Sequence, residues 1–352
     1  MEINGRGVNP VFDDLGHYLA VAGVEENSRN GPVIVAPDPV LVTYTAPTER
    51  VLFSPLRDAN PTFFLMESLW MLAGRNDLEF PLYFNSKFGQ YSDDGKTVWG
   101  GYGARWRNWF GQDQLEHIAK ILQVDPESRR CVLSMWDATT YGADGKNYDD
   151  DLRKGREGGR DVPCNTHAYF DLRGERLNLT VCNRSNDLLW GLCGANAVHM
   201  SLLLEYMAAW IGVPVGVYRQ FSNNVHVYPA ALGTAYPGNA FERIRELAVD
   251  ASIHDYYKQG KVKTFPLVNT DIKTWDADLG RFMNGPGDSM PYTDPFFNGV
   301  ARPLFMAWKE RKEKRGNGLE WARLIAASDW RRACVEWIVR REARREARKE
   351  GK

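Results

Sequence analysis

Residues 161–187 read DVPCNTHAYFDLRGERLNLTVCNRSND, and this stretch decides the fold. Residues 166–172 and 176–183 are rich in the apolar, aromatic and β-branched residues that favour strands. The Arg-Gly-Glu sequence at 173–175 separates them and supplies a turn. The pattern predicts an antiparallel hairpin, with a cysteine entering its first strand and an Arg-Ser pair leaving its second.

The cysteine of this hairpin, Cys164, is a candidate nucleophile. A free cysteine after a proline is commonly a core residue, and that interpretation would prevail for an isolated Pro-Cys pair. Here hairpin pairing brings Arg184 and Ser185 towards Cys164. A neighbouring guanidinium lowers the pKa of a thiol and makes the thiolate available. Arg and Ser together also form half of a phosphate site.

Outward from the hairpin, short apolar runs alternate with amphipathic segments over about 20–230, which predicts an α/β (or α+β) fold. The expected elements are helices over 61–74, 114–124 and 196–212 and strands over 131–137 and 215–218. Their connections and extensions are predicted to be an exposed loop at 138–161, an irregular extension at 232–316 and a basic C-terminal helix at 318–349. We expect one domain over residues 1–352.

The composition limits the classes of function. The net charge of −1 over 352 residues argues against a protein that binds nucleic acid by bulk electrostatics. The basic C-terminal segment is interpreted as a solvated helix with mixed-sign pairs four residues apart. Five cysteines without a CxxC pair indicate neither a disulfide scaffold nor a zinc site, so no metal is expected. Free thiols and no apolar run of about 18 residues predict a cytoplasmic protein without a membrane span.

Seven sequence elements, taken in chain order, resemble those of the thymidylate synthase and pyrimidine hydroxymethylase family. They are Ser28-Arg29-Asn30-Gly31, Glu67 in MESLWML, Tyr102-Gly-x-x-Trp106-Arg107, Asp125-Pro-x-Ser-Arg129-Arg130, Pro163-Cys164, Arg184-Ser185-x-Asp187 and His226-x-Tyr228. Any one match is weak, but seven in order are strong. The resemblance implies a large mixed β-sheet covered by helices, and a homodimer formed through the other face of the sheet.

The resemblance also implies a set of catalytic residues. The thiolate of Cys164 would add to C6 of a pyrimidine and so make C5 nucleophilic. Glu67 would hold a water that relays a proton to the base. Tyr102 and Asn165 would complete this set, and the one-carbon donor would be 5,10-methylenetetrahydrofolate.

Further matches imply how a pyrimidine nucleoside monophosphate is bound. The phosphate would contact Arg29, Arg184 and Ser185 together with Arg129 and Arg130 of the other subunit. The remaining substrate contacts would come from His226 and Tyr228 on the sugar hydroxyl and Asn196 on the base. Asp187 would contact the folate.

Departures from the synthase pattern favour a hydroxymethylase. The synthase has Pro-Cys-His where this chain has Asn165 after the cysteine. It also carries a tryptophan that shields the methylene intermediate, and Asn85 or Lys87 is expected near that position. An apolar ring there excludes water and favours hydride transfer, whereas a polar group admits water and yields a hydroxymethyl product. Thymidylate synthase itself, possible for the same motifs, is the alternative within the family.

The sequence leaves alternatives open for the base of the substrate and for the class of protein. The segment from Gly191 to Asn196 is one residue longer than in the synthase. An asparagine at 196 favours dUMP, because an amide can donate to O4 and accept from N3–H. Asn165 could present an amide to N4 of cytosine, which keeps dCMP open.

A different class is an inactive nucleotide- or RNA-binding regulator, which the presence of Cys164 and Glu67 argues against. His199, on an apolar helix, is predicted to be a satisfied core histidine. A viral source, with action in a phage-infected host, is a hypothesis.

Overall fold

The computed structural model describes residues 1–138, 150–232 and 237–350. Its strands are β1 (Glu2–Gly5), β2 (Val24–Ser28), β3 (Gly31–Val35), β4 (Val40–Tyr44), β5 (Val132–Ser134), β6 (Asn165–Arg173), β7 (Arg176–Asn183), β8 (Asn186–Asp187), β9 (Val215–Ser222) and β10 (Val225–Val227). A six-stranded sheet has the order β1-β4-β9-β7-β6-β5, and a four-stranded sheet the order β2-β3-β10-β8. Parallel β1–β4 and β7–β9 pairs stand beside antiparallel pairs, so the large sheet is mixed, as predicted.

The predicted hairpin is confirmed as β6 and β7. Arg173 pairs with Arg176, which leaves Gly174 and Glu175 as a two-residue turn. Both turn residues have positive φ, 56° and 62°. This left-handed turn matches the right-handed twist of the flanking strands.

The small sheet gathers residues from distant parts of the chain. β3 follows β2 through a tight turn at Arg29-Asn30, where Ser28 pairs with Gly31. β10 pairs with β3 on one side and with β8 on the other, so that His226 lies opposite Asp187. Three sequence motifs, at 28–31, 184–187 and 226–228, therefore meet at one sheet.

The helices are α1 (Val8–Ala22), α2 (Pro61–Leu72), α3 (Glu79–Phe84), α4 (Tyr102–Arg107), α5 (Gln114–Val124), α6 (Asp151–Arg156), α7 (Asn196–Ile211), α8 (Pro237–Ile253), α9 (Ile272–Asn284), α10 (Arg302–Lys312), α11 (Leu319–Arg323) and α12 (Ser328–Lys349). The predicted helices at 61–74, 114–124 and 196–212 are confirmed. α2 begins at Pro61, and the side chain of Asn60 caps it by accepting from Phe63 N. α7 ends at Gly212, whose φ is 87°.

α2 and α7 are buried on almost every side, because both are apolar around the whole helix. The helical segment Leu188–Ile211 is long and apolar enough to cross a membrane, but 78% of its apolar 18-residue window is buried inside the protein. Buried apolar residues from Ile3 to Ile338 form one contiguous cluster. Burial in this cluster accounts for the apolar surface of both helices.

Three sequence-based expectations were wrong. The segment 232–316 is not irregular, because it contains α8, α9 and α10. Its Gly, Pro and Asn residues are concentrated in the connections, while α8 carries an apolar stripe, from Ile244 to Ala251, of the kind that faces a core. The helix expected at 318–349 is broken between α11 and α12. The loop expected at 138–161 contains α6, and its residues 139–149 lie outside the described residues.

Candidate active site

Cys164 lies immediately before β6, where the pairing with β7 shifts register. Arg184, directly after β7, holds this segment: its Nε donates to Pro163 O and its Nη2 to Val162 O, each at 2.8 Å. The same Nη2 lies 3.7 Å from Cys164 Sγ. The backbone N–H of Arg184 also donates to Cys164 O, at 2.9 Å. The prediction that the hairpin brings Arg184 to Cys164 is confirmed.

The thiol of Cys164 is not acidified in the way the sequence predicted. Burial raises its pKa above the ordinary value, and this outweighs the opposing effects of Arg184 and Arg29. The nearby carboxyls of Asp161 and Asp187 add to the increase. Burial therefore favours the protonated thiol of Cys164 in the free protein.

A cavity of about 740 Å³ opens beside Cys164. Seven residues expected from the motifs line it: Arg29, Cys164, Arg184, Ser185, Asp187, His226 and Tyr228. Trp136, which the sequence interpretation missed, lines it as well. The cavity thus combines a cysteine thiol and two arginines with hydroxyl- and imidazole-bearing side chains.

His226 and Tyr228 lie on the wall formed by β10 and the residues after it. Their rings pack edge to face with centroids 5.2 Å apart. The Nδ1 of His226 is 2.9 Å from Asn224 Oδ1, and burial lowers the pKa of its imidazole. Asn30 Nδ2 donates to the hydroxyl of Tyr228 at 3.5 Å. A neutral imidazole and a phenol are suited to hydrogen-bond hydroxyl groups.

A second cavity, of about 180 Å³, contains Glu67. His199 lies beside it, with its Nε2 3.1 Å from Glu67 Oε2. The hydroxyl of Tyr102 lines this cavity and accepts hydrogen bonds from the backbone N–H groups of Cys164 and Asn165, at 3.0 and 3.1 Å. The two cavities therefore adjoin the same nucleophile segment. His199 is buried on α7, as predicted for a core histidine, but its Nε2 has no hydrogen-bond partner among the described residues, so the expected satisfaction is not found there.

Asp161 is a further carboxyl in the second cavity that the sequence interpretation missed. Burial raises its pKa to about 6, although a hydrogen bond from Gly100 N at 2.8 Å opposes this. Phe88 and Tyr91 line the same cavity. Asn85 and Lys87 are not among the described residues that line this cavity. Their place at the position that shields the methylene group in the synthase stays a prediction.

Asn196 belongs to a chain of buried amides. Its Oδ1 accepts from Asn165 Nδ2 at 3.4 Å, and its Nδ2 donates to Asn186 Oδ1 at 3.0 Å. Asn186 Nδ2 in turn donates to Gln220 Oε1 at 2.9 Å. Within the described residues, the Oδ1 of Asn165 has no partner. The amide acceptor that remains free therefore belongs to Asn165, next to the cysteine, and Asn196 orients it.

The residues before Asn196, Leu188–Ala195, form a π-helical segment with a kink at Gly194. Such a segment can accommodate an extra residue. A side chain at Gly191 would place its Cβ 2.3 Å from Asn186 Oδ1. Glycine at this position therefore allows the amide chain to pass beneath the helix.

Asp187 caps this helix by accepting from Leu189 N and Trp190 N, at 2.7 and 2.6 Å. Burial raises the pKa of Asp187 to about 6, and its Oδ2 has no partner among the residues described. Arg57, absent from the sequence predictions, donates to Leu189 O and stacks over the ring of Trp190 at 4.5 Å. The indole of Trp190 is 56% exposed and forms a flat aromatic surface near Asp187.

Arg129 and Arg130 are not brought to this site within one chain. Both are exposed between α5 and β5, and Arg130 lies 3.6 Å from Asp125. In the part of the chain that the structure describes, neither lines the cavity of Cys164. No group of three or more His, Cys, Asp or Glu residues that could hold a metal ion occurs among the described residues.

Comparison with known proteins agrees with this geometry. The profile of the thymidylate synthase family matches residues 22–259. A deoxyuridylate hydroxymethyltransferase of Pseudomonas phage M6 is 44% identical over 357 residues, covering 99% of this chain and 96% of the relative. A protein of the same name from Bacillus phage SP01 is 40% identical over 54% of this chain and 49% of its own length. A thymidylate synthase of Symbiobacterium thermophilum is 34% identical over 46% and 57%, respectively.

Enzymes of this family use methylenetetrahydrofolate and act on nucleotides. The motifs found in the sequence, their convergence around Cys164 and the match over residues 22–259 lead to one assignment. The chain belongs to the thymidylate synthase family.

Proposed function

We propose that the protein is a folate-dependent C5 hydroxymethyltransferase of a pyrimidine deoxynucleoside monophosphate, with dUMP favoured over dCMP. The observation that carries this proposal is the cavity in which Cys164 lies beside Arg184, in a chain 44% identical along 99% of its length to a phage deoxyuridylate hydroxymethyltransferase. The phage sources of two relatives support action in the cytoplasm of an infected host.

Arg29, Arg184 and Ser185 bind the phosphate in this proposal. They line the same cavity as Cys164, and two guanidinium groups with one hydroxyl suit a dianion. His226 and Tyr228, on the wall formed by β10, hydrogen-bond the sugar hydroxyl. The nucleotide is thereby oriented with its base towards the cysteine.

Cys164 adds to C6 of the base, and the electrons of the C5–C6 bond move towards the C4 carbonyl. Tyr102 holds the cysteine segment in place by accepting from two of its backbone N–H groups. Glu67, in the adjoining cavity, holds water that exchanges protons with the base. Asn196, which lines the Glu67 cavity, contacts the base in this proposal, and its hydrogen bond with Asn165 at 3.4 Å orients its amide.

The proposed one-carbon donor is 5,10-methylenetetrahydrofolate, which supplies carbon at the oxidation level of formaldehyde. Two features of the site fit a pterin. Asp187 has a buried Oδ2 without a partner in the described residues, and Trp190 offers an exposed ring beside it. Asp187 would bind the N–H groups of the ring system, and Trp190 would contact its face.

The active unit is proposed to be a homodimer formed through the large sheet. Val132, Tyr169 and Phe221 are each more than 40% exposed although they lie in strands of that sheet. Exposed apolar side chains on a sheet face are typical of an interface. Arg129 and Arg130 adjoin β5, so a second copy on this face could receive them at its phosphate site.

Thymidylate synthase activity is the second candidate. The observation that favours it is the aromatic lining of the Glu67 cavity by Phe88 and Tyr91, because aromatic rings beside the reacting groups exclude water. The hydroxyl of Tyr91 nevertheless makes that wall less apolar than an indole.

Product mass spectrometry distinguishes the two activities. The protein would be incubated with methylenetetrahydrofolate and either dUMP or dCMP, with Cys164→Ala as the control. A product heavier than its substrate by CH2O, with tetrahydrofolate released, supports the hydroxymethyltransferase and identifies the base. A product heavier by CH2, with dihydrofolate released, would instead identify a synthase.

A further inference from the structure

Glu67 and His199 form a buried pair that nucleotide binding does not explain. Their side chains are 11% and 4% exposed, and Oε2 of one lies 3.1 Å from Nε2 of the other. This is an ion-pair distance, yet neither atom has a hydrogen-bond partner among the described residues. Buried polar atoms nearly always have a hydrogen-bond partner, which is often water. The pair is therefore suited to hold one water between its two atoms.

The cavity that this pair lines is placed for chemistry at the nucleotide. Tyr102 lines it too and hydrogen-bonds the backbone N–H of Cys164. Its volume of about 180 Å³ has room for several waters at about 30 Å³ each. Phe88 and Tyr91 form part of the wall. Water inside is thus close to the nucleophile and partly screened from bulk solvent.

We propose that His199, paired with Glu67, removes the proton from the water whose oxygen becomes the hydroxyl of the product. This inference rests on the proposed hydroxymethyltransferase function. It assigns to a residue of α7 the step that distinguishes hydroxymethylation from methylation.

The step balances without an oxidant or a reductant. After carbon transfer the nucleotide carries a methylene group at C5 and is bonded through C6 to Cys164. As the water oxygen bonds to the methylene carbon, its proton passes to His199 Nε2, and the π electrons move to the C4 carbonyl oxygen. The carbonyl then re-forms, C5 and C6 regain their double bond, and the C6–S bond breaks to release the thiolate of Cys164. The carboxylate of Glu67 stabilises the imidazolium that forms.

Asp161 is the competing base in this cavity. Burial raises the pKa of its carboxyl to about 6, but that group already accepts a hydrogen bond from Gly100 N. The Nε2 of His199, in contrast, makes no hydrogen bond to any of the described residues. Its imidazole is also the one imidazole among the residues that line the cavity.

The test separates carbon transfer from water addition in the full-length enzyme. With [5-³H]dUMP and methylenetetrahydrofolate, tritium leaves C5 before water adds, whereas the hydroxymethyl product forms afterwards. In a single turnover, His199→Gln is expected to release tritium nearly as fast as the wild type. Its product formation is expected to be at least about 100-fold slower. The nucleotide adduct of Cys164 should then accumulate and be detected by intact-protein mass spectrometry.

His17→Gln, at an exposed histidine of α1, is the matched control and should leave both rates unchanged. His199→Asn provides a second variant should the glutamine variant not fold. Equal slowing of tritium release and product formation would overturn the proposal, because His199 would then act before the water step. Unchanged rates would overturn it as well. A wild-type enzyme that makes a methyl product would refute the proposed function itself, whatever the His199 variants do.

Discussion

The Nη2 atom of Arg184 lies 3.7 Å from the Sγ atom of Cys164, while the same guanidinium holds the two carbonyl groups that precede the cysteine. One cation thus positions the nucleophile and stabilises its charged form. Burial nevertheless raises the pKa of the thiol overall. The charge of Arg184 offsets part of the increase in thiol pKa that burial causes, but it does not bring that pKa below the ordinary value.

The alkylation rate of Cys164 in the free enzyme should therefore still rise with pH above 9. Iodoacetamide labelling followed by peptide mass spectrometry measures this rate at the single site. Arg184→Met should move the profile to higher pH, because the remaining cation that opposes burial is Arg29. A plateau below pH 8 in the wild type would contradict the expectation. Cys164→Ser identifies the labelled peptide.

Asp329 predicts a pH dependence of stability outside the active site. Burial raises its pKa to about 6, although Tyr257 donates a hydrogen bond to it at 2.9 Å. Its folded-state pKa lies above the unfolded value, so its contribution to stability is complete below about pH 4 and lost as pH rises through 6. Asp329→Asn should therefore gain about 2 kcal/mol relative to the wild type between pH 4 and pH 8.

Denaturant unfolding at the two pH values measures this difference. The exposed Asp38→Asn is the control and should show no comparable change with pH. A gain of Asp329→Asn that is the same at both pH values would show that burial does not disfavour the charged form of Asp329.

The proposed sharing of arginines predicts complementation between inactive variants. An Arg129→Ala/Arg130→Ala double variant and a Cys164→Ala variant should each be nearly inactive. Mixed after dissociation and reassociation, they form heterodimers in which one site has its own cysteine and the partner's arginines. Activity should then return to about a quarter of the wild-type value. Sedimentation must show dimers, and no recovery in such dimers would contradict shared sites.

Substitution of Gly191 tests the role of the hydrogen-bonded amide chain that orients Asn165. Gly191→Ala would place a methyl group 2.3 Å from Asn186 Oδ1, so the amides must move and nucleotide turnover should fall at least about tenfold. Gly280→Ala is the matched control, since no described atom lies within 4 Å of the added Cβ. Because Gly280 lies inside α9, its substitution should stabilise the fold by up to about 1 kcal/mol. Turnover and unfolding of the purified variants distinguish the two cases.

Local patterns determined the elements that carry the nucleophile. The hairpin, the helix that begins at Pro61 and the helix that ends at Gly212 could be predicted from the sequence. Turn chemistry, capping and apolar spacing each act over a few residues. The segment after residue 232 was misjudged because its glycines and prolines dominate the composition while an apolar stripe forms α8. Such a stripe is meaningful only when a partner surface covers it.

The basic C-terminal segment shows the same limit. A predicted pair four residues apart is confirmed at Arg332 and Glu336, at 2.9 Å. However, Arg340, Arg341 and Arg344 all bind Asp58, which lies in a different part of the chain. Asp58 is largely buried, so it attracts cations more strongly than an exposed carboxylate does. Proximity of this kind results from packing, and no spacing within the helix encodes it.

By itself, the sequence determined the family, the candidate nucleophile and the arginine beside it, because each depends on residue identity at short, regular spacings. Tertiary structure alone decided the second cavity, in which His199 faces Glu67 and the rings of Phe88 and Tyr91 form part of the wall. It also decided the pKa of Cys164, because burial depends on everything packed around the sulfur. Desolvation and pairing across distant elements are properties of the folded chain, and a linear pattern does not contain them.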